Sequence, residues 1–347
     1  MSTNHNTVMP AEWEPHHGTL LVWPHNRDTW PGERLVRVEK VYTHFIEALT
    51  RYEPVYIAVA DQRIQKRAQA ILKESHTDLN QITFLPHPVN DVWARDSGPI
   101  MVRQDDNVVA LNWRYNAWGE KYPPWDGDNR LPITLAEVLS VERADIPMVL
   151  EGGSIDVNGC GTLLTTESVL LNPNRNPQLD RADIEAELKK WLGVTNIIWL
   201  GEGLAGDDTD GHIDDLSRFV NKNTIVTAVS DDVSDPNYHI LKQNLHTLQQ
   251  AVNENGVPFH IVELPLPMTK IEGTTVDGSE YVPASYANFY IANGAVFVPM
   301  YDKRYDEEVI SHFADWFPSR DIIGIECADL VWGQGSLHCI TQQLYRE

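Results

Sequence analysis

The sequence predicts one α/β domain over residues 1–347, built as a ring or array in which a strand–strand–helix–strand unit is used about five times. Three observations carry this. Four segments, GPIMVRQDDNVVALNW, GSIDVNGCGTLLTT, LSRFVNKNTIVTAV and NFYIANGAVFVPM, place β-branched and aromatic runs on either side of a tight Asp-Asn, Asn-Gly or Lys-Asn turn, as hairpins do. Helix-like stretches alternate with them. The first and last β-rich runs, TLLVWP and SLHCITQQL, would pair and close such a ring, in which no unit buries its apolar face alone.

In chain order, the helical segments are Glu33–Arg51, Gln62–Glu74, Leu131–Val141, Arg181–Leu192, Pro236–Asn255 and Asp306–Phe317. Single buried strands, PVYIAVA, NIIWLG and FHIVELP, precede or follow them. No Gly/Ser linker or charge block divides the chain into two domains. A doubly wound sheet is the competing fold, but it needs fewer tight hairpins.

Composition narrows the function. The chain has 42% hydrophobic and 22% charged residues, the profile of a soluble globular protein, and no apolar run approaches a bilayer's thickness. The polar start MSTNHNTVMPAEWEP lacks the layout of a signal peptide. Three widely spaced cysteines, Cys160, Cys327 and Cys339, suit free thiols in a reducing cytoplasm rather than a disulfide framework. Fifty acidic against 27 basic residues give a net charge of −23, which speaks against nucleic acid and favours a cationic ligand.

Unusual residues sit where the hairpins begin. Asp96 lies in NDVWARDSGP, Glu151 in LEGGSID, and His212 and Asp214 in GDDTDGHIDDLSRF, while Cys339 falls in the last β-rich run. Repeated units bring equivalent strand ends to one axis, so these groups would converge. Each has a plainer use. Arg95-Asp96 could cap a turn, and Glu151-Gly152-Gly153 could be a flexible corner. DDTDGHIDD resembles a calcium loop, but Gly211 falls fourth from Asp208 rather than sixth and the closing Glu is missing. If His212 and Asp214 lie in a strand, they share one face, whereas the adjacent His338 and Cys339 face opposite ways.

Cys339 would serve as a nucleophile if a base and a substrate anchor accompanied it. Zinc is the rival use of His, Asp and Cys, but there is no CxxC, HExxH or His pair at ligand spacing. The local signature of a papain-like cysteine is absent too. Several carboxylates beside a thiol would repel an anionic substrate and suit a cationic one. A guanidinium presents a planar set of N–H donors that two carboxylates clamp, and its charge favours the thiolate. The residues point to guanidine chemistry without metal or organic cofactor.

MPAEWEPH, DVWARDSGP, LEGGSIDVNGCGTLLTTE, LLNPNRNP, GDDTDGHIDDLSRFV, SYANFYIANGAVFVP and HCITQQ together span residues 9 to 343. In these blocks the chain resembles the agmatine deiminases of the pentein, or guanidine-modifying, superfamily. The resemblance implies a five-bladed α/β propeller of ββαβ modules with pseudo-fivefold symmetry and the site on its axis. It implies Cys339 as nucleophile, His212 as general acid/base, Asp96 and Asp214 as guanidinium-binding acids, and Glu151 as a supporting site glutamate. Trp93 would lay its indole face on the substrate, or else pack as a core tryptophan. Agmatine is the implied partner and a homodimer the implied assembly. Two departures bear on substrate fit: Gln334 and Ser336 replace the family's common Gly and Asn, and His17 stands where another residue is usual.

Overall fold

The computed structural model of the chain describes residues 6–267, 275, 278 and 280–346. All four expected hairpins form. Ile100–Gln104 pairs antiparallel with Asn107–Arg114, Asp156–Val157 with Thr162–Thr166, Ser217–Asn221 with Thr224–Val229, and Tyr290–Ala292 with Ala295–Met300. After each hairpin a helix carries the chain back, and the second strand gains a parallel neighbour: Glu142–Val149, Asn196–Leu200, His260–Pro265 and Asp321–Glu326 respectively. A parallel neighbour is reached only by a long crossover, here through a helix, which is why each unit alternates tight and long connections.

The remaining sheet joins the two ends of the chain. Gly18–Val22 and Val55–Val59 run parallel, and Gln342–Leu344 pairs antiparallel with Gly18–Val22, Gln342 facing Leu20. The described residues thus form five small sheets of three or four strands in a mixed α/β fold. Thr7–Val8 and Ile82–Pro86 add edge strands to two of them.

The helices follow local rules. Arg34–Leu49 buries Leu35, Val38, Tyr42, Phe45, Ile46 and Leu49, a stripe at three- and four-residue spacing. Gln62–Glu74 starts at Asp61, whose carboxylate accepts from the Ile64 amide. Arg181–Leu192 opens on an Asp180/Asp183 capping box and stops at Gly193, where φ is 71°. The expected helices all form, trimmed by a few residues at some ends.

Two expectations are corrected. Cys339 is not in the final strand, which begins at Gln342. Residues 336–341 form a turn instead: the Ile340 amide donates to Ser336 O at 3.2 Å and the Thr341 hydroxyl to Leu337 O at 2.9 Å. Nor do His212 and Asp214 lie in a strand. Ile213–Asp215 is a 3-10 turn, entered from Gly211 at φ 106°. Side-chain oxygens and helical i+3/i+4 bonds satisfy the backbone locally here, so no ladder partner is needed.

These turns recur. Ala94–Ser97 precedes Ile100–Gln104, Gly152–Ser154 precedes Asp156–Val157, and Ile213–Asp215 precedes Ser217–Asn221. A turn at residues 286–287 leads through Asn288 into Tyr290–Ala292, and the 337–340 turn leads into Gln342–Leu344. Each sheet therefore offers one turn, at the entry to a strand, as a mount for functional side chains.

Candidate active site

Cys339 is 6% exposed. Its sulfur lies 3.1 Å from Asn288 Nδ2, which donates to it, and 3.8 Å from Asp214 Oδ2. Asn288 Oδ1 accepts from the His338 and Cys339 amides at 2.9 and 3.3 Å, so one side chain holds both the nucleophile's backbone and its sulfur. Asn288 was missed by the sequence reading; it lies inside a quoted block, but an asparagine before a strand carries no chemical signal of its own. Burial pushes the Cys339 thiol well up, and Asp214, Asp215 and Asp96 add to the shift. These surroundings favour the thiol over the thiolate.

The acids gather at Gly153. A carbon placed on its Cα would lie 2.6 Å from His212 Nδ1, 2.8 Å from Asp96 Oδ1 and 3.1 Å from Asp214 Oδ2. Groups from two separate turns, His212 with Asp214 and Asp96, thus converge on Gly153 of a third, and only a glycine leaves the point open. Asp96 is held from both sides: the Gly153 amide donates to Oδ1 at 2.9 Å and the Trp118 indole to Oδ2 at 3.0 Å. Burial, then Glu151, still push its carboxyl up to about 7. Asp214 is pushed well up by burial and by Asp96, and its Oδ1 is buried without a hydrogen-bond partner.

His212 is buried, with neither ring nitrogen hydrogen-bonded. Its Nδ1 is 3.7 Å from Asp96 Oδ1, and its amide is fixed by Asp207 Oδ2 at 3.1 Å. Burial and the Arg175 guanidinium hold the imidazole well below its ordinary pKa, which favours its neutral form. Glu151 sits behind the acids. Its Oε1 accepts from Arg175 Nε at 2.6 Å, its Oε2 has no partner, and both side chains of this ion pair are fully buried.

A cleft of about 630 Å³ opens onto Asp96, Cys339 and Trp93. Trp93 and Trp118 border it, their ring centroids 6.4 Å apart, and Trp30 packs against Trp93 at 5.7 Å. Gly335 lets Trp93 and Cys339 approach: a carbon added there would stand 2.3 Å from the Trp93 ring and 3.0 Å from Cys339 Cβ. Trp118 reaches the cleft from left-handed backbone, with φ of 49°, 55°, 91° and 65° at residues 117 to 120. Non-glycine residues held there mark a site fixed by its surroundings. Asp28, Asp91, Asp128 and Asp208 line the outer cleft alongside Arg27 and Lys121. Gln334 lines it too, whereas His17 bonds Tyr56 at 2.9 Å and does not.

His338 does not face away from Cys339, contrary to the expectation from a strand. The turn aims both at Asp214: His338 Nδ1 lies 2.7 Å from Asp214 Oδ2, the oxygen nearest the sulfur. Its Nε2 lies 2.8 Å from Glu12 Oε2. Among the described residues, Asp214, Asp215 and Cys339 are the one group close enough to share a metal ion, but the Asn288 amide already lies between Asp215 Oδ1, at 2.9 Å, and the sulfur.

The family model of the Porphyromonas-type peptidyl-arginine deiminases matches residues 8–344. The chain belongs to this family. The agmatine deiminase of Medicago truncatula is 36% identical, covering 98% of this chain and 97% of that one. Among solved structures, the agmatine deiminase of Enterococcus faecalis superposes with a TM-score of 0.90 at 31% identity, over 98% of this chain and 96% of that one. A cysteine-to-serine variant of the C. jejuni agmatine deiminase with substrate bound gives 0.88 at 31% identity, over 100% and 98%. This deiminase-family chain thus shares its mixed α/β fold with enzymes of guanidine chemistry throughout its length.

Proposed function

We propose that this protein hydrolyses agmatine to N-carbamoylputrescine and ammonia, a step toward putrescine, through a covalent intermediate on Cys339. The observation that carries the reading is the convergence of Asp96, Asp214 and His212 on Gly153 beside a buried thiol. Two buried carboxylates with raised pKa values are costly unless a cation enters, and a guanidinium supplies one in planar form.

In this reading Asp96 and Asp214 clamp the guanidinium with its central carbon toward Cys339. The arriving charge draws out the thiolate, and the thiol proton passes to neutral His212. Sulfur attacks the carbon, and the His212 imidazolium gives its proton to the departing nitrogen, which leaves as ammonia. Water then attacks the alkylthiouronium while His212 takes its proton. The C–S bond breaks, returning the thiol and releasing a ureido product. Glu151 holds Arg175, which keeps His212 neutral between the two halves, and Trp93 covers the substrate chain.

With Asn288, which holds Cys339, the turns that mount these residues belong to five sheets, and a single domain with those sheets as five blades around the site is part of the same reading. So are a homodimeric assembly and a cytoplasmic setting, which suits three free cysteines. Agmatine is preferred because its far end is a second cation, welcome in an acid-lined cleft, whereas arginine brings a carboxylate. Release of ammonia from agmatine, arginine and a peptidyl arginine, measured side by side, tests the assignment. Agmatine should lead arginine in kcat/KM by about a thousandfold. Equal use of arginine would move the assignment to another guanidine with the chemistry unchanged.

A further inference from the structure

The N-terminal block MPAEWEPH carries a residue that the proposed chemistry leaves without a task. Glu12 is 5% exposed, and it reaches the back of the site. Its Oε2 meets His338 Nε2 at 2.8 Å and Arg95 Nη2 at 3.1 Å, while its Oε1 meets Arg218 Nη2 at 3.1 Å and the Ile291 amide at 2.8 Å. Beyond His338 stands Asp214 Oδ2, at 2.7 Å from Nδ1. One buried imidazole is therefore set between two buried carboxylates.

The proton count of this chain is constrained. Two nitrogen–oxygen contacts at 2.7 and 2.8 Å need two protons, and a neutral imidazole with two carboxylates has one. The missing proton would leave a lone pair facing an anion in a dry interior. Burial works against ionised Glu12, but Arg218, His338 and Arg95 hold its carboxyl well below the usual range. The proton on Nε2 accordingly serves Glu12, and the second lies between Nδ1 and Asp214.

Where that second proton rests depends on what fills the site. Before a cation enters, burial, Arg218 and Arg95 press His338 toward its neutral form against Glu12, and burial with Asp96 and Asp207 outweighs Arg218 and Arg95 in pressing Asp214 toward its acid. Asp215 and the Cys339 thiol also face Asp214. A guanidinium at Asp214 Oδ1 reverses the balance, because a nearby cation favours the carboxylate.

We propose that His338 is a positioning residue that shares one proton with Asp214 and takes it onto its ring when the substrate's guanidinium enters. Asp214–O–H···Nδ1 becomes Asp214–O⁻···H–Nδ1⁺, with no proton lost to solvent. Glu12 stabilises the imidazolium from the other side. The device lets a buried acid be neutral in the empty protein and charged in the complex. It rests on the guanidine-deiminase reading and adds a residue to it.

Agmatine binding to Cys339→Ala protein, which cannot form the covalent adduct, provides the test. Calorimetry at pH 8 in two buffers of different ionisation enthalpy counts the protons exchanged. With His338 present the count should be near zero. In Cys339→Ala/His338→Asn, whose amide still reaches Asp214 but cannot be protonated, about one further proton should be released per agmatine. Asp96 contributes alike to both proteins. Equal counts overturn the proposal. If the double variant does not fold, ¹⁵N spectra of the ring in Cys339→Ala decide: Nδ1 of His338 should pass from unprotonated to protonated as agmatine saturates the site. A resonance that stays in place overturns it equally. Failure of wild-type protein to release ammonia from agmatine, by contrast, would defeat the deiminase reading.

Discussion

The Trp118 indole nitrogen donates to Asp96 Oδ2 at 3.0 Å, from a backbone held at φ 55°. A buried acid that lines the cleft thus takes one of its hydrogen bonds from a left-handed stretch in a different part of the chain. The bond favours the ionised carboxyl, against burial and Glu151, which push it up to about 7.

Trp118→Phe should therefore raise the Asp96 pKa further. Hydrogen bonds to charged groups are worth about 1.5–3 kcal/mol, so kcat/KM for agmatine should fall roughly ten- to a hundredfold near neutral pH. The acid limb of its pH profile should move to higher pH, since the clamp needs the carboxylate. An unmoved limb would mean that Asp96 does not set it.

Gly153→Ala puts a methyl group among His212 Nδ1, Asp96 Oδ1 and Asp214 Oδ2. These are side-chain ends, so the fold should accommodate the change while the clamp spreads. Activity should drop more than about a hundredfold, because displacements near 1 Å cost that much at a reacting centre. Circular dichroism and kinetics on the same preparation check both halves; a folded variant with wild-type kcat/KM would remove Gly153 from the site.

Asp96→Asn should abolish turnover and stabilise the protein above neutral pH. An acid whose pKa rises to about 7 on folding favours the native state while protonated; that advantage is lost as pH climbs through 7. The ionised form at pH 8 then costs about 4 kcal/mol that Asn avoids, a penalty that grows in between pH 4 and 7. The melting temperature should rise by a few degrees at pH 8 and hardly change at pH 4. A lower melting temperature at pH 8 would mean that the bonds to Asp96 outweigh its burial.

Cys339→Ser should lose several orders of magnitude in kcat, with no adduct on the 339-containing peptide by mass spectrometry. Cys160→Ala, at an exposed thiol, should behave as wild type. Cys327 is fully buried and burial pushes its thiol up to about 12, so it should resist alkylation under conditions that label Cys339, which lines the cleft. Labelling of Cys327 first would contradict that order.

The hairpins, the alternation of helices and the pairing of Gly18–Val22 with the last strand were legible in the residues alone, because turn chemistry and apolar periodicity are local. So were Cys339, His212, Asp96, Asp214 and Glu151, whose side chains announce reactive chemistry. What surrounds them was set by long-range folding. Asn288 and Trp118 are chemically ordinary and become site residues solely through contacts at separations of 51 and 22 residues. His338 was misjudged for a local reason: a strand alternates its side chains, but residues 336–341 close a turn and aim His338 and Cys339 at the same carboxylate. Glu12 joins that carboxylate's network from 326 residues away, and the charge of a buried group depends on such neighbours rather than on its own position in the chain.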